Sequence, residues 1–145
     1  MARITSPNLQ MQRITTSRGT EGRVNFSYRL RYGINDIEQN QWHRVHVTLW
    51  ERDGSHRDHI YVRYNGTGLW LKRDAHGSDD FISYVDGRWV RPNGNSSTFV
   101  SDSRSFTPAQ LHEESGNEEY YLHIAAHPWS GGNVEEYSAE DPLNF

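Results

Sequence analysis

Hydrophobic and polar positions alternate without a break from Arg23 to Tyr32. Val24, Phe26, Tyr28, Leu30 and Tyr32 fall on one side, and Arg23, Asn25, Ser27, Arg29 and Arg31 on the other. A period of two over this length marks a β-strand with one face in a core and one in water. Gly33-Ile34-Asn35-Asp36 ends it, and Ile34–Gln41 reads as a connection or a short helical turn. Trp42–Glu51 is a second strand, with Val45, Val47 and Leu49 opposite Trp42, His46, Thr48 and Trp50. Bulk on both faces places it centrally in its sheet, or gives it an exposed aromatic face.

Turn chemistry divides the rest of the chain. Asn65-Gly66 between His59–Tyr64 and Thr67–Arg73 predicts a two-residue hairpin that pairs Tyr64 with Thr67, Val62 with Leu69 and Ile60 with Leu71. That register gathers the aliphatics on one face and puts Tyr61 beside Trp70 on the other; a one-residue slip destroys the match. Asp86-Gly87 between Phe81–Val85 and Arg88–Arg91 carries the same signal and predicts a second hairpin, with Tyr84 against Trp89. A short strand follows at Thr98–Ser101. Thr107-Pro108-Ala109-Gln110 has the form of a capping box with proline at the first helical position, predicting one short helix over 108–114. Glu119–Ala125 is the last strand, with Tyr121, His123 and Ala125 opposite Tyr120, Leu122 and Ile124.

Short strands separated by turns, with no long helices between them, predict an all-β fold: an antiparallel β-sandwich, Ig-like or jelly-roll-like, of about 6–8 strands with one short helix. The expected organisation is an N-terminal arm or edge strand over 1–20, the sandwich over 21–130 and an acidic C-terminal tail over 131–145. Isolated apolar anchors in both end segments suit arms laid on a neighbouring subunit, or laid back on their own domain.

Composition narrows the function classes. A chain of 145 residues fits one domain, and 12% aromatics against 34% hydrophobics describes a thin core built from large rings. Absence of cysteine excludes disulfides, thiolate nucleophiles and Cys-ligated metals. No apolar leader or membrane-length apolar run is visible, so cytoplasm or an assembled particle is the default location. A net charge of −4 offers no general attraction to nucleic acid or anionic membrane, and neither is expected as a partner. The Arg23, Asn25, Ser27, Arg29, Arg31 face is expected to pair with Asp or Glu on neighbouring strands.

Candidate chemistry follows the same faces. No nucleophile elbow, His-Glu-x-x-His helix or phosphate loop occurs, so no catalytic residue and no cofactor is assigned. Of the 8 histidines, His43 and His46 fall on opposite faces, His56 and His59 flank a turn, and His123 and His127 converge only if their strand ends between them. Asp74, Asp79 and Asp80 in one Gly- and Ser-containing loop are a weak candidate for Ca²⁺. The stronger candidate is an aromatic face of Trp50, Tyr61, Trp70, Tyr84 and Trp89, which suits protein contacts or sugar stacking. These features favour a non-catalytic structural, assembly or protein–protein interaction subunit, expected to be a homo-oligomer using its arms and aromatic face. A carbohydrate-binding module with Trp50, Trp70, Trp89 and Tyr61 as platforms is the alternative, and a small metal-dependent enzyme comes third.

Overall fold

The alternating segment forms β2 (Gly19–Arg31), and its apolar side chains are buried while the polar ones stay partly exposed. It lies between β1 (Arg3–Thr16) and β7 (Ser97–Phe106) in a three-stranded antiparallel sheet. β1 is thus an edge strand; a register shift between Thr5 and Asn8, with Ser6 at a φ of +52°, bulges it. Residues 2–51, 60–64, 67–71, 80–111, 118–129 and 131–143 are described by this computed structural model, with side chains for all of these except 60–64, 67–71, 80 and 118.

α1 (Ile34–Glu38) is the short helical turn after Gly33. It leads to β3 (His43–Glu51), which takes the central of the two places its bulky faces allow, paired with β8 (Glu118–Pro128) on one side and β6 (Asp80–Val90) on the other. β9 (Val134–Tyr137) and β10 (Asp141–Leu143) both pair with β8 and complete a five-stranded sheet. β4 (Ile60–Tyr64) and β5 (Thr67–Leu71) form a separate hairpin whose backbone register pairs Ile60 with Leu71, Tyr61 with Trp70, Val62 with Leu69 and Tyr64 with Thr67, as the Asn65-Gly66 signal requires.

The two larger sheets face each other across one core, the all-β sandwich expected from the strand pattern. Val24, Phe26, Tyr28 and Leu30 of β2 meet Val45, Val47 and Leu49 of β3 and Leu122, Ile124 and Ala126 of β8. At one side of the sandwich four charges bridge the sheets. Asp86 and Arg88 of β6 and Asp102 and Arg104 of β7 form a ring of ion pairs at 2.6–2.9 Å. At the opposite side the edge of β1 approaches β10, and the Met11 N–H donates to Asp141 Oδ2 at 2.6 Å.

Three expectations are corrected. Asp86-Gly87 is no hairpin turn: β6 runs through it, pairing Asp86 with Val47 and Gly87 with His46, so Tyr84 and Trp89 share one strand. Pairing with β3 and the ion-pair ring outweigh the local turn preference there. The capping hydrogen bonds of Thr107 and Gln110 do form, at 2.8 and 3.2 Å, but over 107–111 they close a turn, and 112–117 fall outside the described residues; among the described residues the helix lies at Ile34–Glu38. Nor do the arginines of β2 face carboxylates: Arg31 is paired with Arg3, Arg29 with Thr5 and Phe99, and Arg23 with Gln12 and Ser105.

The end segments also belong to the sheets. β1 lies on β2, and β9 and β10 lie on β8, so both expected arms are folded onto their own domain. Among the described residues no helix is long and apolar enough to cross a membrane.

Candidate functional site

The outer face of the five-stranded sheet, turned away from the core, carries the candidate site. Strand pairing sets its side chains in rows across β8, β3 and β6. They run His127–Arg44–Trp89, Ala125–His46–Gly87, His123–Thr48–Tyr84 and Tyr121–Trp50–Phe81. One row further, the Trp129 N–H donates to the Trp42 carbonyl at 2.9 Å, which brings Trp129 beside Trp42. Burial changes along these rows. Trp50 has 0% exposure in a cluster with Tyr121 and Ala125, against which Phe81 and Tyr137 pack. At the other end Trp42 is 42% and Trp129 69% exposed.

Three indole rings meet at that exposed end. Trp89 lies edge-on to Trp42 at 6.3 Å and tilted against Trp129 at 6.0 Å. Guanidinium groups cover ring faces: Arg91 Cζ sits 4.4 Å from the Trp42 centroid and Arg44 Cζ 5.8 Å from that of Trp89. Two loops hold this end in place. Asn40 and Asn93, both at positive φ, are clasped by an Asn93 N–H to Asn40 Oδ1 bond of 2.7 Å, fixing the chain on either side of Trp42 and Arg91. Asp36 takes the Gly33 N–H at 2.9 Å and approaches the buried His43 ring at 3.5 Å, which anchors α1 and places Gln39 and Gln41. Gln39, Gln41, Trp42 and Trp129 then line a cleft of about 250 Å³.

Beside the tryptophans lies a buried polar strip. The Tyr84 ring crosses Gly87, and its hydroxyl reaches His46 Nδ1 at 2.6 Å. Burial, with His127 and Arg44 nearby, lowers the His46 pKa to about 4, so the ring is neutral near pH 7, and its tautomer sets which partner of the Tyr84 bond donates. Burial raises the Tyr84 pKa, and Arg44 donates to its oxygen. Burial also lowers the pKa of His127. Thr48 Oγ1 donates to the His123 carbonyl at 3.3 Å and accepts the Trp50 indole N–H at 3.0 Å, and His123 Nε2 lies 3.0 Å from Glu135 Oε2. Near pH 7 the pair is a neutral phenol bonded to a neutral imidazole.

The sequence-predicted aromatic face is therefore divided. Tyr84 and Trp89 lie at the exposed part, with Tyr84 38% exposed, while Trp50 is fully buried and is no platform for a ligand. Tyr61 and Trp70 are paired in β4 and β5, and their side chains lie outside the described residues. Asp74 and Asp79 also lie outside them, whereas Asp80 opens β6 opposite Glu51. Among the described residues no group of His, Asp or Glu is arranged to hold a metal ion. Sequence reasoning missed Trp129, Arg44 and Arg91. His127-Pro128-Trp129 reads as a closing loop; the signal for Trp129 was the extension of β8 beside β3, which sets it next to Trp42.

No family model matches the chain, and no curated protein matches it. Among solved structures, "X-ray structure of Northeast Structural Genomics Consortium target SoR45" aligns over 99% of this chain and 86% of that one, at 10% identity and a TM-score of 0.38. A likeness at that level carries no functional argument.

Proposed function

We propose that the protein is a non-catalytic protein–protein interaction subunit that docks through the Trp42, Trp89, Trp129, Arg44, Arg91 patch, with a second copy of the chain as the partner. One observation carries the reading: large indole rings, two of them well exposed, gather where adjacent strands end and are braced by arginines. Trp and Arg dominate the energetic centres of protein interfaces, because they bury much area from a rigid frame. The ring geometry favours a protein over a polysaccharide. The planes of Trp42 and Trp89 are 85° apart and those of Trp89 and Trp129 50° apart, so they make no common platform, and arginine occupies faces that a sugar ring needs.

Size exclusion with light scattering over a range of concentrations tests this. The expected result is a mass above that of one chain, returned to one chain by Trp42→Ala with Trp129→Ala while the melting transition is kept. A single-chain mass at every concentration sinks the self-association.

The cleft supports a second reading, a single sugar ring held against Trp129 with the Gln39 and Gln41 amides on its hydroxyls. A glycan array without a hit, or with hits insensitive to Trp129→Ala, removes it.

A further inference from the structure

The outer face of the three-stranded sheet is the opposite surface of the sandwich. Strand pairing makes it a grid: Arg3, Thr5, Asn8, Gln10 and Gln12 on β1; Arg31, Arg29, Ser27, Asn25 and Arg23 on β2; Ser97, Phe99, Ser101, Ser103 and Ser105 on β7. Four arginines stand on this grid, and among the described residues none of them is ion-paired. Arg29 is held by a 3.0 Å bond to Ser97 Oγ and lies 5.2 Å from the Phe99 centroid. Arg3 and Arg31 are directly opposed, and like charges placed so destabilise a free sheet. Glu21, paired with Ile14, lies beyond the Arg23 end of the grid.

Of the other described acidic residues, Glu119, Glu135, Glu136, Glu140 and Asp141 belong to the other sheet or the turn between its last strands. A net charge of −4 therefore conceals a segregated positive face. Its centre is a hollow of about 350 Å³ lined chiefly by Asn8, Gln10, Asn25, Ser27, Ser101 and Ser103, all amides and hydroxyls. Phe26 and Asp102 also line it, and the Asp102 carboxylate is bound by Arg88 and Arg104. Phe99 stands beside the hollow with 57% of its surface exposed.

We infer that this face binds a short single-stranded nucleic acid. Arginines take the phosphates, the face of the Phe99 ring away from Arg29 stacks on a base, and the amides and hydroxyls of the hollow bond base edges and sugar hydroxyls. From Arg31 to Arg23 the strand spans about 26 Å, enough for roughly four nucleotides in an extended strand. The exposed ring separates this occupant from a simple polyanion, which has no base to set on Phe99. The absence of carboxylates opposite β2 removes the reason for which charge balance alone set nucleic acid aside.

Fluorescence anisotropy of the full chain with labelled oligo(dT) and oligo(U) of about 15 nucleotides, between roughly 50 and 200 mM salt, tests the inference. Four neutralised phosphates predict a slope of log affinity against log salt of about −3, halved by Arg29→Ala with Arg31→Ala. Phe99→Ala weakens binding roughly 5- to 150-fold and leaves the slope in place. If the double variant does not fold, Arg23→Gln alone lowers the slope by about 0.7. No binding at the lowest salt overturns the proposal. So does binding that Phe99→Ala leaves intact and heparin displaces, which marks a surface for anionic glycans instead.

Discussion

At the scale of single residues, Gly87 decides the shape of the outer face. A Cβ there collides with the Tyr84 hydroxyl and lies 2.9 Å from an Arg44 nitrogen, so only glycine lets the phenol lie across β6 and reach His46. Gly87→Ala is expected to lift Tyr84 away, break the 2.6 Å bond and destabilise the fold by about 1–3 kcal/mol, read as a lower urea midpoint. The same residue shows why local reading failed. Asp-Gly is a strong turn signal, and the reasons this pair sits inside a strand are distant in sequence: Val47 and His46 across the ladder, and Arg104 across the sandwich. Trp50 was misplaced for a related reason. Period two identifies which residues share a face, and Trp50 does share one with Trp42, but it cannot say which part of that face is covered.

At the scale of elements, the patterned strands were legible because alternation and register are local properties. β2, the central place of β3 and the β4–β5 pairing all follow from residues within one or two elements. The ion-pair ring between β6 and β7 was not legible, since nothing in either strand names its partner. Asp86, with a side chain only 5% exposed, accepts from Arg88 and Arg104 at 2.7 and 2.6 Å. Asp86→Ala leaves both guanidiniums with Asp102 alone and is expected to cost about 2 kcal/mol, less than for a fully buried pair because both arginines reach water. Arg104, the Ser103 N–H and Arg88 hold the Asp102 pKa down to about 2. A depressed carboxylate stabilises the fold above its unfolded pKa of about 4, and that contribution disappears as pH falls from 4 toward 2. Urea midpoints measured through that window should fall for the native chain. Asp102→Asn should begin lower at pH 7 and lose this part of the acid response.

At the scale of the whole molecule, the two outer faces are chemically unlike. One carries indoles and arginines beside buried histidines; the other is an arginine, amide and hydroxyl sheet. Composition could not show this, because a net charge averages over faces. The side of the sandwich opposite the ion-pair ring has its own closure, at Met11 and Asp141. Asp141→Ala removes the acceptor for an edge N–H and is expected to cost about 1–2 kcal/mol. It should also raise turbidity on heating, because an uncovered edge invites pairing with another chain.

That closure also sets an order of events during synthesis. A ribosome releases β1 and β2 first, and their hairpin needs only each other. The strand bearing Asp141 emerges more than a hundred residues later, so the early hairpin waits with one edge open until nearly all of the described chain has been made. Translation speed and chaperone access during that interval therefore bear on the yield of folded protein, although neither leaves a trace in the finished sandwich.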